Sequence, residues 1–194
     1  LIGLVGSEMC IRDRYLKENM YPIVTEKINE YLESHRKDLD GIYISGGEPL
    51  MHEGVVSFLQ YAKTLNYKIK IHTNGMFYER LKTILAQKLV DHVSLDIKNA
   101  PSAYAKTCGV EDMDLKDIEK SLDLLKQSVV PYDICVTLVD ELHNQATIEE
   151  LGEWIQGVDT VILQPFEDRE TTIDHSLHLS LIHISEPTRP ISIS

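Results

Sequence analysis

An α/β fold built on a parallel sheet is predicted by three features of this 194-residue chain. Short β-prone apolar runs alternate with longer stretches whose apolar residues recur at helical spacing. Several of the runs end in glycine, asparagine or charged residues, and in a parallel sheet of βα units all such ends emerge at one face. The linkers are short and no repeat or low-complexity tract interrupts them, so a single domain boundary-to-boundary is expected.

The elements follow in order. Residues 23–32 carry Ile23, Ile28 and Leu32 with Glu and Lys between, an amphipathic helix. Gly41, Ile42, Tyr43 and Ile44 form the first visible strand. Residues 53–65 place Val55, Val56, Phe58, Leu59 and Ala62 on a helical face, and 67–71 alternate as a strand. A helix over 80–89 repeats the pattern with Leu81, Ile84, Leu85 and Leu89, and 90–95 form a strand. Residues 101–107 read as a loop in which Tyr104 packs at the core or rim. Helices over 114–127 and 147–156 then alternate with strands over 132–139 and 160–163, five strands in all.

Three strand ends carry candidate chemistry. Gly46 and Gly47 permit positive φ or close ligand approach, Glu48 adds an anionic acceptor suited to an ammonium group, and Pro49 stiffens the exit. The bland alternative is an ordinary strand-to-helix turn. The next strand runs into His72, Thr73, Asn74 and Gly75, with Gly75 expected to supply only a special φ. The third runs into Asp96-Ile97-Lys98, whose spacing puts both charged side chains on one face of an extended segment. His52 is expected on a helix surface, away from ligand.

The runs ISGGEPL, TNG and DIK, with Leu163-Gln164-Pro165-Phe166 near the end, resemble the radical S-adenosylmethionine superfamily. Within it they are most similar to the activating proteins of anaerobic ribonucleoside-triphosphate reductase, over residues 21–168. The resemblance implies a partial (β/α)6 barrel with S-adenosylmethionine and a [4Fe-4S] cluster. It also implies 5′-deoxyadenosyl-radical hydrogen abstraction from a glycine of the partner reductase, with an electron donor such as flavodoxin or ferredoxin. Carried over by position, Gly46, Gly47 and Glu48 would hold the methionine amino group. Asp96 and Lys98 would lie near the ribose and carboxylate, and Gln164 near the adenosine. His72 stands where related activases usually carry Asp, and Thr73 and Asn74 flank it. Cys135 stands where they often carry Arg, with Thr137 pointing the same way.

One departure is large. The family's cluster needs three thiolates from a CxxxCxxC loop, whereas Cys10, Cys108 and Cys135 are scattered, so no metal ligands are assigned and no residue is assigned to catalysis. Cys108 and Cys135 read as small semi-buried hydrophobes. A single oligonucleotide read from its two strands can encode both Leu4 to Arg14 and Leu179 to Thr188, as a sequencing-library adapter would. Residues 1–14 and 179–194 are therefore expected to be non-native flanks around a native body at 15–178. That body is expected to lack the barrel's first strand and cluster loop, leaving the chain inactive. His175, His178 and His183 alternate with apolar residues in this tail, an arrangement ascribed to chance.

Composition narrows the remaining classes. A net charge of -12 argues against nucleic acid as a partner, since phosphate binding relies on clustered Lys and Arg. No apolar run has the length of a membrane span, and few, unpaired cysteines point to the cytoplasm. Dinucleotide, P-loop, HExxH and GxSxG signatures are absent. Two alternatives stand beside the activase: a radical enzyme acting on a small molecule, like 7-carboxy-7-deazaguanine synthase, and a non-catalytic S-adenosylmethionine-binding module.

Overall fold

A computed structural model describes residues 25–166. The flanks at 1–14 and 179–194, the expected missing strand and the histidine-rich tail fall outside the described residues.

Five strands form one sheet: β1 (Gly41–Ile44), β2 (Lys68–Thr73), β3 (His92–Asp96), β4 (Tyr132–Leu138) and β5 (Val161–Pro165). Each pairs in parallel with the next in sequence order. Helices α1 (Thr25–Ser34), α2 (Val55–Thr64), α3 (Tyr78–Ala86), α4 (Pro101–Thr107), α5 (Lys116–Lys126) and α6 (Gln145–Trp154) lie before and between them. Parallel connections are right-handed, and a sheet that always steps in one direction therefore carries its crossover helices on one side. The apolar parity of the strands meets them there: Ile69, Ile71, Val93, Leu95, Ile134 and Val136 share one buried core with Leu59, Leu81, Ile84, Ile118, Leu122 and Leu125.

The opposite parity is polar. Register aligns Tyr43 with Lys70, Lys70 with His92, His72 with Ser94, Ser94 with Asp133, and Asp96 with Cys135. Alternation along each strand turns these residues to the face away from the core.

Most elements fall where sequence patterning puts them, with ends displaced by one to three residues. The exception is 101–107, expected as a loop and found as α4. Pro101 sits in its first turn after extended Ala100, a position where its fixed φ favours a helix and its missing N–H costs nothing. Tyr104 on α4 is 1% exposed and meets Trp154 of α6 edge-on, 6.0 Å between ring centroids, as core packing. Helix α3 ends at Ala86 because Lys88 takes a left-handed φ of 55°, and Leu89 is buried beyond it.

Candidate functional site

After β1 the chain turns through Gly46 at φ 89° and Gly47 at φ 21°. A Cβ at Gly46 would meet nothing within 4 Å, so backbone conformation rather than crowding calls for glycine there. The turn delivers Glu48 as the cap of a short 3-10 helix, Pro49–Met51, in which Pro49 is buried. Glu48 itself is 1% exposed. Its Oε1 accepts from the Leu50 backbone N–H at 2.9 Å and from Thr73 Oγ1 at 2.7 Å, and its Oε2 accepts from the Asn74 N–H at 2.7 Å. Burial raises its pKa, and the Asn74, Thr73 and Leu50 donors and nearby His72 only partly offset that rise. With three of about four acceptor positions used, one stays open on Oε2.

Thr73 is fully buried and also accepts from the Gly75 N–H at 3.2 Å. Gly75 has φ 77°, and a Cβ there would stand 2.8 Å from Leu95 Cδ1, so it serves backbone geometry as expected. His52 lies exposed past the 3-10 helix.

His72, Asp96 and Lys98 converge beside this loop. Lys98 Nζ lies 2.8 Å from Asp96 Oδ2, and His72 Nε2 lies 3.5 Å from the same oxygen. The other ring nitrogen of His72 is 2.9 Å from the Tyr43 hydroxyl. Burial opposes the charge on Asp96, but Lys98 and His72 outweigh it and hold the carboxyl below its ordinary range. Asp96 Oδ1 is buried with no hydrogen-bond partner, one of few such atoms among the described residues. Two neighbouring acids are thus pushed in opposite directions by their surroundings, a pattern common at functional sites.

Lower on the same face, four donors gather on Asp133. Ser94 Oγ lies 2.6 Å from Oδ1 and Cys135 Sγ 3.4 Å from it, while His92 Nε2 at 2.6 Å and Lys70 Nζ at 3.1 Å reach Oδ2. Burial opposes the Asp133 charge, yet Ser94, His92 and Lys70 lower its pKa. Burial and the Asp133 charge push the Cys135 thiol up to about 12, so it is a protonated donor and not a nucleophile. Cys108 is equally buried. Among the described residues no three His, Cys, Asp or Glu side chains are grouped to hold a metal ion.

Of the residues singled out in the sequence, Gly46, Gly47, Glu48, His72, Thr73, Asn74, Asp96 and Lys98 come together. Thr137 and Gln164 are register partners on β4 and β5, further across the sheet. The Asp133 cluster and the buried His143 had no local sequence signal. Asp133 is assembled by strand register alone, and His143 sits in what reads as a plain loop.

The family model for the Radical SAM superfamily matches residues 8–155. A Methanocaldococcus jannaschii protein provisionally named a glycyl-radical enzyme activating enzyme is 31% identical over 135 residues, 68% of this chain and 56% of that protein. The chain thus spans little more than half the length of that curated relative. A domain of pyruvate-formate lyase-activating enzyme from Bacteroides vulgatus superposes with a TM-score of 0.53 at 18% identity, over 70% of this chain and 86% of that one. The protein anSMEcpe with bound AdoMet superposes with a TM-score of 0.57 at 16% identity, over 81% and 48%. At such identities the structural likeness speaks for the fold.

Proposed function

The chain belongs to the radical SAM superfamily, and from that premise we propose that it is the S-adenosylmethionine-binding part of a glycyl-radical-enzyme activase whose partner is anaerobic ribonucleoside-triphosphate reductase. The observation that carries this reading is the meeting of Glu48, His72, Asp96 and Lys98 at adjacent strand ends, with Asp96 Oδ1 buried and unpartnered. A buried acceptor without a donor is costly unless a ligand supplies one.

The residues present fit S-adenosylmethionine. Its ammonium group suits the open acceptor position of Glu48 beside the bare backbone of Gly46 and Gly47. Its ribose hydroxyls suit Asp96 Oδ1, and its carboxylate suits the Lys98 ammonium. Thr137 and Gln164, further along the sheet, are proposed to face the adenosine end. When bound, the cofactor supplies one-electron chemistry at its sulfonium that ends in hydrogen-atom abstraction. This chain's own part is to bind and orient it, and the ammonium group would offset the burial that disfavours the charged carboxylate of Glu48.

Among the described residues, the two thiols do not fit a [4Fe-4S] cluster. Cys108 and Cys135 are buried on separate elements, and the latter's thiol is held protonated. We therefore propose that the chain alone binds the cofactor without radical chemistry. The activase reading over a small-molecule enzyme is favoured by the relative of Methanocaldococcus jannaschii. The test is electron paramagnetic resonance on anaerobic ribonucleoside-triphosphate reductase mixed with S-adenosylmethionine, reduced flavodoxin or ferredoxin, and either this chain or the protein extended by its gene's upstream codons. The extended protein is expected to leave a glycyl radical and this chain none. An extended protein that carries a cluster and consumes the cofactor, yet leaves the reductase diamagnetic, would refute the activase assignment.

A further inference from the structure

The segment after β3 that carries Lys98 is tied to the turn after β4 by two consecutive residues. His143, 2% exposed, places Nε2 3.0 Å from the Lys98 carbonyl oxygen. Asn99, fully buried, donates through Nδ2 to the Leu142 carbonyl at 2.7 Å and to Thr107 Oγ1 at 2.9 Å, and accepts the Ala100 N–H at 2.8 Å. A carbonyl oxygen only accepts, so the bond to Lys98 requires a proton on Nε2 of His143. Its Nδ1 lies 3.1 Å from the Val139 backbone N–H and 3.1 Å from the Val139 carbonyl oxygen. The imidazole thus bridges Val139 and Lys98, joining the β4 exit to the β3 exit.

We propose that His143 is a positioning residue for Lys98. By holding the Lys98 carbonyl, with the Ile97 N–H fixed to the Cys135 carbonyl at 2.9 Å, it sets where the ammonium stands against Asp96. It touches no ligand itself. An imidazole spanning two backbone segments is suited to this because its planar ring fixes the direction of both contacts. The inference rests on the reading of the site as an S-adenosylmethionine pocket.

The test is a double-mutant cycle on cofactor affinity, titrating S-adenosylmethionine into the full chain followed by NMR, with folding checked by thermal melting. Lys98→Ala should weaken binding about tenfold, the size expected for one lost charge-assisted contact. His143→Leu should weaken it about fivefold in the native background and by less than about twofold in the Lys98→Ala background, because it acts through Lys98. His143→Gln, whose amide can still donate to the carbonyl, should recover most of the loss. If Lys98→Ala leaves affinity unchanged, the pocket reading fails. If Lys98→Ala weakens binding but the His143→Leu loss is absent or equal in both backgrounds, the positioning role is refuted. Nitrogen-15 NMR of the unsubstituted chain should show Nε2 of His143 protonated, and an unprotonated Nε2 would overturn the proposal without any variant having to fold.

Discussion

The hydroxyl of Thr73 donates to Glu48 Oε1 at 2.7 Å, fastening the acid of one strand exit to the tip of the next strand. Both groups are buried, so the bond is a fixed part of the site's frame. Thr73→Val keeps the shape of the side chain and removes the donor. It is expected to destabilise the protein by about 1–3 kcal/mol, the cost of leaving a buried acceptor short of a partner. The shift in urea midpoint at unchanged slope measures it.

Glu48 has a raised folded pKa because burial penalises its charge. Its stability contribution is therefore full below the ordinary value of 4.5 and is lost as pH rises through the folded value. Relative to Glu48→Gln, the native chain should gain stability as pH falls toward 4.5. Denaturation curves at stepped pH read the difference. A gap between the two proteins that stays constant with pH would contradict the burial cause.

Asp133 behaves oppositely. Its folded pKa is lowered, so its contribution is present above the ordinary 3.8 and disappears as pH falls through the lower folded value. Asp133→Asn is expected to cost about 2 kcal/mol at neutral pH, discounted because Lys70 and His92 are each about a third exposed. The two proteins should converge in acid, as followed by the same denaturation series.

Gly75 and Gly46 both take positive φ, but only Gly75 is crowded. Gly46→Ala should cost about 1 kcal/mol from backbone strain alone. Gly75→Ala adds a clash with Leu95 and should cost about twice as much or more. Calorimetric melting temperatures give the ranking, and an equal loss at both positions would show that the crowding is relieved cheaply.

Much of this architecture is legible in the sequence. β-branched runs such as Lys68–Thr73 announce strands, and the polar residues at their ends meet because parallel βα units stack those ends together. Helix α4 was hidden because seven residues with Pro, Ser and Thr carry too little periodicity to stand out from a loop. The Asp133 cluster was hidden because its members lie on three strands, brought together by register across long sequence separations. The Asp96–Lys98 pair was legible because alternation alone puts residues two apart on one face.

The most direct measurement of the central claim is the affinity of S-adenosylmethionine for the chain and for two single variants, Lys98→Ala and His52→Ala. Lys98 pairs with buried Asp96 among the converging strand ends, whereas His52 lies exposed just past the 3-10 helix. The expected result is about a tenfold loss at Lys98→Ala and no more than about twofold at His52→Ala. Equal losses at both positions, or no cofactor binding by the unsubstituted chain, would contradict the pocket.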